Sequence, residues 1–310
     1  MKSNTWFDAS PHKSGFVTAN GIRLNYLDWG GSGPPLVLIH GFNANPHSFD
    51  DLATAFTDYF RVVAYARRGH GQSDAKGPYD TVTLTEDLRA FMDELRITKA
   101  HLAGWSLGGN EITTMAAKYP KRVDHIVYLD AGYDWGDPIF AKALNSYPYE
   151  MTTPANALRS LDAYRDYQRI GWAREIDPNK VEACVRDSVV IQPNGTVKER
   201  MTERTAQEFF TSSFKDRRDY TKVRSPALAI YAKTMLDLHC DDLAQRRKNQ
   251  AWERRFMTPF RAAQIKKIRR ELHGVKIISV PGTHNDFFFT SREKVVDSML
   301  RFLKKPASEN

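Results

Sequence analysis

A serine with small neighbours stands where an apolar run gives way to a helix-like segment. Residues 104–109 read Gly-Trp-Ser-Leu-Gly-Gly and follow the apolar run 100–103. Where a strand turns sharply into a helix, small residues are needed two positions before and two positions after the residue at the turn, because the two elements crowd together there. The pattern therefore predicts a strand–turn–helix that presents Ser106 as a nucleophile.

A serine hydroxyl is a weak nucleophile until a histidine accepts its proton, and an acid must then orient and stabilise that histidine. The chain has nine histidines. Only His284 directly follows a β-branched run, residues 275–280, while also preserving the chain order serine, acid, histidine. We predict that His284 is the general base that activates Ser106.

Four motifs in this order resemble those of the α/β-hydrolase-fold serine hydrolases. Besides the serine turn and His284, the apolar run 35–39 leads into His40-Gly41-Phe42, and residues 68–73 read Arg-Gly-His-Gly-Gln-Ser. The resemblance extends over about residues 21–303. It implies an α/β fold with a mostly parallel eight-stranded sheet flanked by helices, and with a helical lid inserted.

The position of the acid departs from the common pattern of this family. In most relatives the acid follows the strand expected here at residues 226–232, and the usual position falls on Met235. Methionine cannot orient an imidazole, whereas Asp237, two residues later, could reach His284 with a longer loop.

The alternative acid is Asp130, at the end of the expected strand 125–129. Some members of the family, the haloalkane dehalogenases among them, carry their acid at this earlier strand. A capping or structural carboxylate is the ordinary role for an aspartate here. We favour Asp130, keep Asp237 as the second candidate, and place Asp134 a distant third.

Two backbone N–H groups are expected to stabilise the oxyanion of an attacked carbonyl. The resemblance assigns them to Leu107, which follows the nucleophile, and to Phe42, which follows the His-Gly pair. The ring of Phe42 can also form an apolar wall. Trp105 is a candidate substrate-binding residue, although packing beside the serine turn is its more ordinary role.

The spacing of apolar runs predicts that residues 1–134 and 223–310 form the hydrolase core and that residues 135–222 form a helical lid. The lid segment is rich in aromatic residues, which more often form the core of a lid than contact substrate. These residues are Tyr147, Tyr149, Tyr164, Tyr167, Trp172, Phe209, Phe210 and Phe214.

Composition narrows the partners that we expect. The 310-residue chain has a formal charge of +8, but its basic residues are dispersed, so we predict no nucleic-acid binding. Neither of its two cysteines belongs to a Cys/His cluster with metal-ligand spacing, which predicts free thiols and no metal. The absence of a Gly-rich phosphate loop predicts no nucleotide cofactor. With no membrane-length apolar run and no apolar core of a secretion signal, we expect a cytoplasmic location and no membrane span.

The sequence thus predicts a cofactor-free serine hydrolase that cleaves a small carboxylic ester or lactone through an acyl-enzyme on Ser106. A serine at this position argues against dehalogenase or epoxide hydrolase chemistry, which uses an aspartate there in this fold. C–C bond or amide hydrolysis, acyl transfer and cofactor-free peroxidase activity on the same residues stay open. So does a ligand sensor that has the fold without turnover.

Overall fold

The computed structural model describes residues 6–169 and 176–306. In these residues one sheet of eight strands has the order β1-β2-β4-β3-β5-β6-β9-β10, and β7 and β8 form a separate hairpin. The strands are β1 Lys13–Ala19, β2 Ile22–Gly30, β3 Pro35–Ile39, β4 Arg61–Tyr65, β5 Ala100–Trp105, β6 Val123–Leu129, β7 Val189–Ile191, β8 Val197–Glu199, β9 Ala227–Thr234 and β10 Lys276–Thr283.

Within the large sheet only β2 runs against its neighbours, β1 and β4, and all the other pairs are parallel. Helices cover both faces, so the central strands are mostly apolar on both sides rather than alternating. The most central example is β5, all six residues of which are buried. The predicted α/β class with a mostly parallel eight-stranded sheet is confirmed.

The α-helices lie mainly in the connections between the strands. They are α1 Asp50–Ala53, α2 Thr81–Glu94, α3 Gly108–Lys118, α4 Pro138–Asn145, α5 Leu161–Gln168, α6 Asn179–Asp187, α7 Glu203–Ser212, α8 Leu243–Trp252, α9 Thr258–Glu271, α10 Phe287–Thr290 and α11 Arg292–Leu303. A π-helical turn, Glu253–Met257, joins α8 to α9. Among the helices of the described residues, none has the length and apolar character needed to cross a bilayer.

The strand ends place the chemically interesting loops at one edge of the sheet. β5 extends to Trp105, two residues beyond the predicted apolar run, so Ser106 follows it directly. In the same way β6 ends just before Asp130, and β10 ends just before His284. Because parallel strands bring their carboxyl ends to the same edge, these three residues converge there.

Residues 135–222 connect β6 to β9 and contain α4 to α7, as the helix-like pattern predicts. They also contain the β7–β8 hairpin, which was not predicted, because each of its strands is only three residues long. An Asn-Gly pair, Asn194-Gly195, lies in its turn, and Gly195 has the positive φ of +85° that such turns favour. The division of the chain into a core and a lid remains a proposal.

Of the aromatic residues predicted to belong to the lid, Trp172 lies outside the described residues. Tyr164 packs in a small separate cluster with Val185, Val189 and Val197, and the other six form two groups. Tyr147, Tyr149 and Tyr167 line a cavity, whereas the phenylalanines of α7 and its C-terminal flank pack around Phe42, with ring centroids 4.8 to 5.9 Å apart. Both predicted thiols, Cys184 and Cys240, are free.

Two buried histidines at the amino ends of β5 and β6 predict an acid-sensitive fold. Burial lowers the pKa of both His101 and His125, and that of His101 falls from 6.5 to about 4. The unfolded chain therefore takes up these protons at a higher pH than the folded chain, so the free energy of unfolding falls as the pH drops below about 6.5.

We expect His101→Gln to remove about 2 kcal/mol of the stability change that wild type shows between about pH 7.5 and about pH 5. Urea titrations of both proteins across this range measure the difference. Equal pH slopes for the two proteins would contradict the expectation.

Candidate active site

Ser106 lies at a strained turn between β5 and α3. Its φ of +53° falls in the left-handed region that non-glycine residues rarely adopt. The flanking glycines make the turn possible, because a Cβ on Gly104 would lie 2.5 Å from the carbonyl oxygen of Gly108. A Cβ on Gly108 would lie 2.5 Å from that of Ile39. The Gly-x-Ser-x-Gly spacing is thus a packing requirement.

Substitution of Gly104 by alanine tests this requirement. The added methyl group would collide with backbone atoms of Gly108, which cannot move aside as a flexible side chain could. We expect Gly104→Ala to lower the free energy of unfolding by about 1–3 kcal/mol or more, as measured by urea denaturation. Wild-type stability in the variant would show that the turn is not closely packed.

A chain of hydrogen bonds joins a serine, a histidine and an aspartate from three different strand ends. The Ser106 Oγ lies 2.8 Å from His284 Nε2, and His284 Nδ1 lies 2.6 Å from Asp130 Oδ2. Ser106 is partly exposed, whereas His284 and Asp130 are buried. In this geometry the imidazole can accept the serine proton while the carboxylate fixes the ring orientation.

The Asp130 carboxylate is held in place by more than His284. Its Oδ1 accepts hydrogen bonds from the Tyr133 hydroxyl at 2.6 Å and from the Ala232 N–H at 3.1 Å. Arg261 Nη2 lies 3.7 Å from the same oxygen. Burial raises the pKa of Asp130. The Arg261 guanidinium and the hydrogen bonds from His284 and Tyr133 together lower it by more than burial raises it, so the net shift of the pKa is downward. Asp130 is therefore a carboxylate at neutral pH.

Asp237, the second candidate acid, does not contact His284. Its Oδ1 accepts the N–H of His239 at 2.8 Å, and both ring nitrogens of His284 already have partners. Asp134 is also committed elsewhere, since it accepts hydrogen bonds from Arg217 Nε and from the Arg218 N–H. Of the three aspartates, the structure brings only Asp130 to the histidine.

The loop after β3 packs directly against Ser106. Gly41 packs so closely that a Cβ there would lie 3.1 Å from the Ser106 Cβ. The Gly41 carbonyl oxygen lies 2.8 Å from His40 Nδ1 and accepts a hydrogen bond from Arg67 Nη1 at 3.3 Å. Because the N–H of a trans peptide points opposite to its carbonyl, the Phe42 N–H points away from these partners.

The tautomer of His40 explains how the Gly41 carbonyl is held. His40 Nε2 accepts the Arg67 N–H at 3.0 Å, so Nδ1 is the nitrogen that carries the proton and donates to Gly41. Burial, reinforced by Arg67 and His70, lowers the pKa of His40, and the ring stays neutral. Arg67 is itself fixed by the buried Glu111, 2.5 Å from its Nε.

Leu107 is the N-cap residue of α3. The N–H groups in the first turn of a helix have no intrahelical acceptors, and the helix dipole adds a partial positive charge there. This end of α3 lies beside Ser106, so negative charge that develops on a substrate oxygen would be stabilised. The assignment of the Phe42 and Leu107 amides to an oxyanion hole remains a proposal.

Trp105 is buried and its indole N–H donates to the His284 carbonyl oxygen at 2.9 Å. Its predicted packing role beside the turn is thus evident in the contacts. Trp105 also lines a cavity of about 390 Å³ together with Phe42 and Asn285, the sequence neighbours of Gly41 and His284. The cavity is thus lined by sequence neighbours of Ser106, Gly41 and His284, whereas Ser106 and His284 themselves do not line it. A substrate-binding role for Trp105 remains a proposal.

Sequence reasoning missed Tyr133, Arg261 and the His40–Arg67–Glu111 network as parts of this site. Tyr133 had a local signal, because it lies three residues after Asp130. Arg261 had none, since it is one of many basic residues in the long segment after β9, and only the fold brings α9 over the carboxylate. In the described residues, the two groups able to hold a metal ion include neither Ser106 nor His284.

Comparisons with known proteins agree with this architecture. A model of the alpha/beta hydrolase fold family matches residues 34–234, more than half of the chain. The chain therefore belongs to the alpha/beta hydrolase fold family, as the sequence motifs predict.

Curated relatives in this family include several hydrolases. The chain is 36% identical over 110 residues to 2-(acetamidomethylene)succinate hydrolase of Mesorhizobium japonicum, a match to 35% of this chain and 39% of that protein. It is 29% identical over 128 residues to 3-oxoadipate enol-lactonase 2 of Acinetobacter baylyi, which covers 41% of this chain and 48% of that protein. The matches thus span less than half the length of either relative.

The fold likeness to solved structures extends over nearly the whole chain. E-2-(acetamidomethylene)succinate hydrolase superposes with a TM-score of 0.70 at 21% identity, over 95% of this chain and 100% of that chain. The enol-lactonase of Burkholderia xenovorans gives a TM-score of 0.62 at 20% identity, over 94% of this chain and 100% of that chain. At these identities the likeness establishes the fold alone.

Proposed function

We propose that the protein is a serine hydrolase that cleaves a small carboxylic ester or lactone through an acyl-enzyme on Ser106. The observation that carries this proposal is the unbroken hydrogen-bond chain from Ser106 through His284 to the ionised Asp130. Family membership and the hydrolase relatives support the same class of reaction.

In the proposed reaction the Ser106 Oγ attacks the substrate carbonyl carbon while His284 Nε2 accepts the serine proton. The carbonyl oxygen gains the negative charge, which the Phe42 and Leu107 N–H groups stabilise. As the tetrahedral intermediate collapses, the bond between the former carbonyl carbon and the oxygen of the leaving alcohol breaks, and the imidazolium gives its proton to that oxygen. A water molecule, deprotonated by His284, then attacks the acyl carbon. The bond between that carbon and the Ser106 Oγ breaks, the imidazolium returns the proton to the Oγ, and the acid is released.

The cavity beside the serine supports a small-molecule substrate. Its volume of about 390 Å³ suits a ligand of modest size, and its wall combines aromatic with polar side chains. Phe42, Trp105 and the tyrosines 147, 149 and 167 provide flat apolar surface. Glu150 and Asp237 bring carboxyl groups to the same wall, and these would disfavour a substrate whose distal group is anionic.

A panel of neutral esters, lactones and amides with varied acyl groups tests the proposal. We expect turnover of esters or lactones, and a transient mass increase equal to the acyl group that maps to the peptide containing Ser106. Exclusive turnover of amides or of C–C bonds would redirect the proposal to those reactions. Tight binding of these compounds without acylation or turnover would identify a ligand sensor instead.

A further inference from the structure

Two histidines and two aspartates gather on the side of the molecule where the segment before β1 meets α1. Asp8 and His12 belong to the first segment, whereas His47 and Asp50 lie in the short 3-10 helix Pro46–Phe49 and at the start of α1. One nitrogen or carboxylate oxygen from each residue lies within 4.8 Å of the corresponding atoms of the other three. None of these residues takes part in the proposed reaction.

Each of the two histidines lies near both aspartates, and the two contacts with Asp50 are made through different carboxylate oxygens, Oδ1 for His12 and Oδ2 for His47. His12 Nε2 lies 3.0 Å from Asp8 Oδ2 and 3.8 Å from Asp50 Oδ1. His47 Nδ1 lies 2.9 Å from Asp50 Oδ2 and 3.6 Å from Asp8 Oδ2. The two shorter distances are those of hydrogen bonds, whereas the two longer distances are too long for hydrogen bonds. Together they bracket the ~3.4 Å edge of a tetrahedron whose metal–ligand bonds are about 2.0–2.1 Å long.

The charge and burial of the group also suit a metal ion. Two carboxylates and two neutral imidazoles offset the charge of a divalent cation. The side chains of His12, His47 and Asp50 are 8 to 10% exposed, and that of Asp8 is 24% exposed, which leaves a route for a metal to enter. Imidazole ligands favour Zn²⁺ and similar transition metals over Mg²⁺ or Ca²⁺, which prefer oxygen ligands alone.

We propose that Asp8, His12, His47 and Asp50 form a tetrahedral binding site for a divalent transition metal, Zn²⁺ foremost. Four protein ligands leave no open position for a substrate, so the metal has a structural role. A metal could not be predicted from the sequence because no single segment carries a complete set of ligands at metal-ligand spacing. Here each segment supplies only two ligands, and folding brings the two pairs together.

The site would fasten the N-terminal segment to a wall of the substrate cavity. The residues directly before His47 form the loop that carries Phe42, and Ser48 lines the cavity itself. Asn45, the cap of the 3-10 helix, ties this region to α6 through a 2.8 Å hydrogen bond to the Cys184 carbonyl. A metal here would therefore stabilise the loop that positions the Phe42 amide, without contacting the reacting atoms.

A second histidine–aspartate group provides a matched control. His101, Asp124 and His125 also bring their ligand atoms within 4.8 Å of one another. However, Lys99 Nζ lies 3.0 Å from Asp124 Oδ1 and places a positive charge beside the group. This second group also has only three ligand residues, one fewer than the proposed site. We expect this group to bind Zn²⁺ much more weakly, so His101→Gln should leave the metal content unchanged.

The test uses the full chain without an affinity tag, stripped by a chelator and dialysed against ZnCl₂. Wild type and His101→Gln should each retain one tightly bound Zn²⁺ per chain by elemental mass spectrometry. His47→Gln and Asp8→Asn should each weaken Zn²⁺ binding by at least about 100-fold. Added Zn²⁺ should raise Tm for the first two proteins and leave it nearly unchanged for the other two. CoCl₂ should give wild type the intense visible bands of four-coordinate Co²⁺.

Three outcomes would overturn the proposal: no tight Zn²⁺ in wild type, equal Zn²⁺ binding by Asp8→Asn and wild type, or loss of the metal from His101→Gln. Circular dichroism checks folding of each variant. If His47→Gln fails to fold, Asp8→Asn decides the result, because Asp8 is the most exposed ligand. The site and the proposed hydrolase activity can each fail without the other, since metal content is measured without a substrate.

Discussion

Ser106→Ala is expected to lower kcat by about 10⁵-fold or more for an ester that wild type hydrolyses. The reason is that the variant lacks the atom that forms the acyl-enzyme, while His284 and the backbone amides remain. KM should change little, because the serine hydroxyl contributes little to the binding of unreacted substrate. Steady-state kinetics with a chromogenic ester, together with a check that the variant is folded, measure the effect.

Ser48→Ala is the matched control for that loss. Ser48 lines the same cavity, but its hydroxyl lies 3.5 Å from the Cys184 thiol instead of contacting a histidine. We expect this variant to keep its turnover within a few-fold of wild type. If Ser106→Ala retained most of the wild-type kcat, the nucleophile would have to be another residue.

Asp130→Asn is expected to lower kcat by about 10⁴-fold. An asparagine side chain can donate to His284 Nδ1 and so favour the tautomer that directs an N–H, instead of a lone pair, at the Ser106 Oγ. It also removes the negative charge that stabilises the imidazolium. Because Arg261 would then lose one of its two nearby carboxylates and keep only Glu253, the free energy of unfolding should be measured in parallel with kcat.

Asp237→Asn separates the acid of the site from a carboxylate that merely lines the cavity. The Asp237 side chain contacts the His239 N–H rather than His284, so its removal should alter KM more than kcat. A large loss of kcat in Asp237→Asn with a mild effect of Asp130→Asn would show that a different loop arrangement operates during catalysis.

The local parts of the site could be predicted from sequence. Ser106 is recognisable because a sharp turn between strand and helix requires Gly104 and Gly108 at fixed spacing. His284 is recognisable because it follows a β-branched strand late in the chain. The sheet is recognisable because strands covered on both faces are apolar throughout.

The acid could only be narrowed to candidates, because both Asp130 and Asp237 follow strands that end at the same edge of the sheet. The decisive contacts come from distant residues: the 3.7 Å approach of Arg261 and the 2.6 Å hydrogen bond from Tyr133. The role of the aspartate depends on how α9 approaches the residues after β6 and the end of β9, and no local sequence pattern predicts that contact. The group formed by Asp8, His12, His47 and Asp50 could not be predicted from sequence for the same reason, because only folding brings its two segments together.

Activation of Ser106 by His284 can be tested by covalent labelling with diethyl 4-nitrophenyl phosphate, which reacts with a serine that a histidine has activated. We predict release of one 4-nitrophenolate per chain, attachment of one diethyl phosphoryl group to the Ser106 Oγ, and no reaction of a folded His284→Asn variant. A folded wild-type protein that stays unlabelled, or that carries the label on another residue, would show that Ser106 is not the activated nucleophile.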